Sequence, residues 1–311
     1  MHRFAVPDLA VNGHDPAVLS RHLEYLRRRR YRLMSLRDLL HHLDQRIPLA
    51  ENALIFTVDD GYADFAAVGA PVFAAYDCPV TVFLVTDFVS GRLWNWFDRI
   101  EWAFVHTGSR EMTLEISGER ISLRWTNAAD RVRAADEFVE RIKGVKDVLK
   151  EELIGRLEEI LDVSIPDLPP DEYRAMSWDQ VRTCARRGVT FGPHTVTHPI
   201  LSQVDGSRSD YEISESWRAV QGATDAAIPV FCYPNGTLSD FSSREEASVA
   251  RAGMAAAVST IEASLESSSS GIVAPDRFAL PRFPYPEGKQ RFVQMASGLE
   301  AGKARIRRRL A

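Results

Sequence analysis

Two adjacent aspartates, Asp59 and Asp60, close the apolar run in "IFTVDDGY" at residues 55–62. One acidic residue before Gly61 would be an ordinary turn residue. Two adjacent ones make either a polar turn or a pair of carboxylates at a catalytic strand end. A second stretch, "FGPHTVTHPIL", places His194 and His198 just after another apolar run. Imidazoles four residues apart converge on one ion when the backbone makes a helical turn. Two neutral imidazoles with one carboxylate are a common catalytic zinc set, and they leave positions open for water and substrate. Either stretch alone has a bland reading, as a turn or as ordinary surface or core histidines. Their occurrence together, at two strand ends, is far less readily an accident and suits a metal-binding catalytic site.

Those strand ends need a frame. "DPAVLSRHLEYLRRRRY" reads as an amphipathic helix with Leu19, Leu23 and Leu26 on its apolar stripe and Asp15-Pro16 at its start. "SLRDLLHHLDQ" is a second helix capped by Ser35. "ALIFTVDD" and "CPVTVFLVT" have the continuous apolar character of parallel strands covered on both faces. After an interruption the alternation resumes: helix "SWDQVRTCARRG", strand "VTFGPHT", a helix around "SDYEISESWRAVQGAT", strand "IPVFCYP", helix "SSREEASVARAG" and strand "MAAAVST". Repeated strand–helix units imply a mainly parallel sheet, open or closed, with function at the strands' C-terminal ends. "ESSSSGIVAP" reads as a mobile polar loop.

The interruption, about residues 91–174, differs in composition. It holds the aromatic-rich "RLWNWFDRIEWAF", a hairpin around Ser117-Gly118, one long charged helical stretch and a proline-rich connection. It is expected to be an α+β insertion packed on a single catalytic domain spanning residues 1–311. Trp94, Trp96 and Asp98 lie just beyond a strand, so they are candidate substrate contacts by stacking and hydrogen bonding, or part of the insertion's own core. Tyr285 has the same two readings.

Composition is that of an ordinary globular protein, 45% hydrophobic and 26% charged over 311 residues. A net charge of -5 gives no case for nucleic-acid binding. The three cysteines, Cys78, Cys184 and Cys232, are far apart and read as reduced thiols. The opening residues lack a signal-peptide core, and no apolar run is long enough to span a bilayer. The expectation is a cytoplasmic protein. Basic clusters at residues 27–30 and from Lys303 onward read as solvated surface, or as contacts to the inner membrane face or a lipid-linked substrate.

"FTVDDGY", "GPHTVTHPIL" and "FCYPNG", in that order, resemble the first three motifs of the polysaccharide deacetylase superfamily, carbohydrate esterase family four, with its NodB homology domain. "MHRF", the first helices and "RFALPRFP" resemble a subgroup whose N-terminal strand carries a histidine. The resemblance covers nearly the whole chain and is weakest in the insertion. It implies a distorted (β/α)7 barrel and metal-dependent removal of N- or O-acetyl groups from sugars. Carried over by motif, Asp60, His194 and His198 would hold a divalent metal, zinc first with cobalt or nickel as alternatives, and Asp59 would be the general base. Many members have an arginine where Cys232 stands; Arg282, in "LPRFP", is the expected replacement. Asn235 occupies the position whose backbone N–H would face the oxyanion. Tyr233 and Pro234 shape that turn, and Tyr233 is also a candidate substrate contact. Many members carry a late histidine as general acid, and no histidine follows His198 here; the subgroup resemblance implies His2 in that role, with His14 in reserve.

The expected activity is therefore N-deacetylation of a sugar, polysaccharide or glycolipid precursor. Two alternatives remain: hydrolysis of a small cyclic amide or O-acetyl ester on the same scaffold, and a glycan-binding protein that has lost turnover.

Overall fold

The computed structural model describes residues 1–6, 9, 11–268, 271–273 and 276–298; the basic tail from Lys303 lies outside them. Four parallel strands form the central sheet in the order β1 (Arg32–Met34), β2 (Ala53–Val58), β3 (Val80–Leu84) and β6 (Thr190–Pro193). β3 is buried along its whole length, as its unbroken apolar sequence requires. A parallel bridge from Phe191 to Ala227 leads on toward the pair β7 (Val230–Cys232) and β8 (Ala256–Val258). A further parallel bridge joins Val258 to Leu280. The sheet thus curls into a parallel half-barrel, and the C-terminal ends of β2, β6 and β7 carry the Asp-Asp, HxxxH and Cys-Tyr-Pro-Asn sequences.

Local signals behave as expected at the helix starts. Asp15 caps the helix Pro16–Arg28, and Ser35 forms a capping box with Asp38 at Leu36–Asp44. The basic cluster after the first helix is partly engaged: Arg27 donates to the carbonyls of Tyr76 and Asp77, and Arg28 pairs with Glu24. The three cysteines are buried and free. No helix among the described residues is long and apolar enough to cross a membrane.

Three elements depart from the sequence reading. β1 has only three residues, too few for a period to register, and follows Arg30 in a left-handed conformation. The charged helical stretch is helical but divided in three, a division the sequence reading did not draw: Ala128–Lys143, Asp147–Gly155 and Leu157–Leu161, interrupted at residues 144–146 and at Arg156. The serine-rich segment expected as a loop contains an antiparallel pair, β9 (Glu266–Ser268) and β10 (Gly271–Val273). Its β9 strand is anchored where Ser267 Oγ accepts the Leu49 N–H.

The insertion builds its own apolar cluster. The hairpin of β4 (Glu111–Ile116) and β5 (Glu119–Arg124) turns at Ser117-Gly118, both with positive φ, as a two-residue turn matched to strand twist requires. Ile100, Phe104, Leu114, Phe138 and Leu157 pack together there, apart from the barrel cluster of Phe56, Val58, Val82 and Phe191.

Gly192 lets β6 lie close to its neighbours. A Cβ there would meet a Phe83 ring carbon and the Val230 carbonyl, each at 2.6 Å. Gly192→Ala is therefore expected to cost roughly 2–3 kcal/mol by overpacking, read as a lowered urea midpoint with an unchanged m-value.

Candidate active site

β2 delivers both aspartates, and the backbone makes them diverge. Asp60 has φ 74° and Gly61 φ 88°, so the chain turns sharply as it leaves the strand. A side chain at Gly61 would also strike Leu84. Both carboxylates are buried, Asp59 at 5% exposure and Asp60 at 2%. Their surroundings differ completely.

Asp59 meets a cation. Arg282 Nη1 donates to its Oδ1 at 2.8 Å and to Thr57 Oγ1 at 3.1 Å. The same guanidinium donates to the Ser259 carbonyl and to Cys232 Sγ. Burial alone would push the Asp59 carboxyl up. Arg282, followed by His2 and His194, outweighs this and holds it well below the usual range. Asp59 is thus ionised, fixed and close to the strand ends.

Asp60 meets acceptors. His194 Nε2 and His198 Nε2 lie 3.5 and 3.6 Å from Asp60 Oδ1, and that oxygen has no hydrogen-bond partner. His194 Nδ1 lies 2.7 Å from the Cys232 carbonyl. A carbonyl only accepts, so Nδ1 carries the proton and Nε2 presents a lone pair toward Asp60. Burial lowers the pKa of both imidazoles, that of His198 to about 3. For Asp60, burial is outweighed by His2 and the two other histidines, and its pKa falls to about 2. The unpartnered Asp60 oxygen, the His194 Nε2 lone pair and a ring nitrogen of His198 lie within 4.8 Å of one another, a set that could hold a metal ion. His2 Nδ1 is 3.0 Å from the other oxygen, Asp60 Oδ2.

The loop carrying the histidines is held from outside. Thr195 and His198 both have positive φ, 68° and 60°. Glu212, fully buried on the helix Gly206–Ala223, accepts the Val196 N–H at 2.7 Å, the Thr197 N–H at 2.9 Å and the Thr197 hydroxyl at 2.7 Å. Trp96 Nε1 donates to the His198 carbonyl at 3.2 Å. Asn235 also has positive φ, 59°, and its side-chain amide is tied to Asp240. That leaves its main chain at the end of β7 beside the cleft.

The cleft, about 680 Å³, is lined by His2, Asp59, Asp60, His194, His198 and Arg282 among others. Asn235, Trp96, Asp98 and Tyr233 also line it. Trp94 and Tyr285 do not. Trp94 packs on Tyr173 and Trp102, and the Tyr285 hydroxyl meets His22 Nδ1 at 2.6 Å within the barrel's apolar packing. Asp98 accepts the Tyr62 hydroxyl at 2.7 Å, and burial pushes both groups well up. Tyr233 is stacked on Phe241 at 4.0 Å and has no exposed surface. His14, the reserve acid, is bound to Glu287 instead. Glu212 went unnoticed in the sequence, since no local pattern links a mid-helix glutamate to a loop fifteen residues earlier.

A family model described as polysaccharide deacetylase matches residues 46–257, about two thirds of the chain. The chain belongs to the polysaccharide deacetylase family. This deacetylase resembles three solved structures over nearly its whole length. One is the Streptococcus pyogenes deacetylase PplD in complex with acetate, at 15% identity and TM-score 0.59, covering 96% of this chain and 95% of that one. IcaB from Ammonifex degensii follows at 14% and 0.55, covering 95% and 93%. A de-N-acetylase from Aggregatibacter actinomycetemcomitans also gives 14% and 0.55, covering 94% and 97%. Identities this low establish a shared fold, the distorted (β/α)7 barrel. No curated protein matches the sequence.

The buried imidazoles set a pH dependence for the metal-free deacetylase. The unfolded chain protonates His198 near pH 6.5, whereas the folded chain does so only near pH 3. Between those values the unfolded state binds more protons, so stability falls as pH falls. From pH 7 to pH 5, His198 is expected to remove roughly 2 kcal/mol. Urea unfolding of metal-free wild type and His198→Gln should show the variant losing less by about that amount.

Proposed function

We propose that this deacetylase hydrolyses the acetamido group of an amino sugar with a divalent cation held by Asp60, His194 and His198. The observation that carries the reading is the contrast between adjacent carboxylates. Asp60 Oδ1 faces two imidazole nitrogens with no donor, while Asp59 is held ionised by Arg282. Zinc suits two nitrogens and one oxygen, and cobalt or nickel would serve as substitutes. Bound there, such an ion lowers the pKa of water from 15.7 to about 7 and polarises a carbonyl.

The chain's own residues supply the remaining steps. Asp59 accepts a proton from the attacking water as the water oxygen bonds to the acetyl carbon. Arg282 fixes the orientation of that carboxylate and keeps it unprotonated beforehand. The Asn235 main-chain N–H stabilises the negative oxygen of the tetrahedral intermediate. His2, whose second ring nitrogen has no hydrogen bond among the described residues, protonates the departing nitrogen. The carbon–nitrogen bond breaks, and acetate and a free amine leave. An amine leaves poorly without a proton, so a histidine at the mouth favours amide over ester substrates. Asp98 and Trp96 shape the cleft, Asp98 through Tyr62 and Trp96 through the His198 carbonyl. Tyr233 supports the β7 turn from below.

The test is acetate release from N-acetylated oligosaccharides by zinc-loaded protein. Asp59→Asn is expected to retain one equivalent of zinc and to lose turnover by roughly 10²–10⁴-fold; full activity in that variant rules the mechanism out. Release of a ring-opened acid in place of acetate would favour a cyclic-amide substrate. Arg282→Met removes the counter-charge of Asp59. Its pKa should rise, moving the acidic limb of the rate profile upward in pH, with a stability loss of roughly 3–5 kcal/mol.

A further inference from the structure

The insertion forms a wall of the cleft. Its helices Trp96–His106 and Ala128–Lys143 contribute Val105, Val132, Ala135 and Val139 to the lining. Val105 is 39% and Val132 49% exposed, so this wall presents aliphatic surface to the cleft. The aromatic residues of the same cleft behave in the opposite way. Tyr62, Trp96, Phe104 and Tyr173 are buried, with no ring face free for stacking. Among the described aromatics of the cleft only Phe97 is partly exposed, set edge-on to His198 with centroids 5.3 Å apart. The cleft thus has one aromatic surface beside the metal ligands and aliphatic surface beyond it. A sugar polymer, whose successive rings stack on aromatic faces, finds a single platform here.

A charge stands at the same wall. Arg131 lines the cleft beside Val132 and has no ion-pair partner among the described residues; its hydrogen bond is to the Thr107 carbonyl, at 3.5 Å. Its neighbours on the helix are all satisfied: Arg133 by Asp130, Arg141 by Glu137 and Lys143 by Glu140. Glu101 and Asp136 also line this cleft, but neither forms an ion pair with Arg131 among the described residues. A half-buried guanidinium without a counter-ion is a receptor for an anion, with oxygen fork geometry preferred.

We propose that the two insertion helices bind the non-sugar part of the substrate, and that this part is a phosphate-linked hydrocarbon chain. The acetylated ring sits at the metal ligands against Phe97, the phosphate pairs with Arg131, and the chain lies along Val105, Val132, Ala135 and Val139. The class of substrate is a lipid-carried glycan. The exposed Leu238, adjacent to the cleft residue Thr237, adds apolar surface near the rim. This inference rests on the reading of the cleft as a deacetylase site.

The experiment compares kcat/KM of the zinc-loaded protein on one N-acetylated sugar in three forms: a plain oligosaccharide, a nucleoside diphosphate sugar, and the sugar diphosphate esterified to a ten-carbon prenyl alcohol. Each methylene removed from water is worth roughly fourfold, so the prenyl form should exceed both others by at least tenfold. Val132→Asp should shrink that preference, and Arg131→Gln should shrink it through KM with kcat little changed. Equal efficiency on all three forms overturns the proposal while leaving deacetylation intact. So does a preference that survives both substitutions, or a nucleoside form as good as the prenyl form. Turnover of none of the three would overturn the deacetylase reading itself, and this inference with it.

Discussion

Two carboxylates side by side at one buried strand end repel each other and lose their hydration together, and the site is organised around that difficulty. Neither can stay ionised unaided in a low-dielectric setting. The chain's solution is to separate them by a left-handed step at Asp60 and to give each a different environment. Asp59 receives a guanidinium with three further anchors. Asp60 receives the ring nitrogens of His194 and His198 at one oxygen and of His2 at the other. One carboxylate is thereby paired with a guanidinium, and the other is surrounded by histidines.

Backbone strain accompanies this arrangement. Asp60, Thr195, His198 and Asn235 all adopt positive φ, each next to the cleft and none a glycine. Such positions cost about 1–3 kcal/mol apiece. They persist because buried acceptors hold the loops from behind, Glu212 under the histidine loop and Asp240 under the Asn235 turn. The loops are therefore rigid by construction, which suits ligands that must meet at one point.

The aspartate pair and the HxxxH stretch were readable because each is local: neighbouring residues at a strand end, with chemistry implied by type and spacing. The alternation of strands and helices was readable for the same reason. Arg282 was reachable only through family resemblance, because nothing near residue 282 records which carboxylate it will meet. Trp94 and Tyr285 kept two readings because a core aromatic and a binding aromatic have the same sequence signature; only packing against Tyr173 and His22 decides for the core. β1 and the β9–β10 pair are each three residues per strand, below the length at which periodicity speaks. Glu212 is invisible for a deeper reason, since its role exists only once a helix has docked against a loop.

The pairing of Arg282 with Asp59 joins residues 223 positions apart. On a ribosome, the aspartates, the histidines and the whole insertion emerge before that guanidinium is synthesised. A nascent chain with its first strands already paired would still carry Asp59 uncompensated and its neighbourhood incompletely closed. Closure of the Asp59 pocket therefore waits until the Leu280 segment takes its place beside β8.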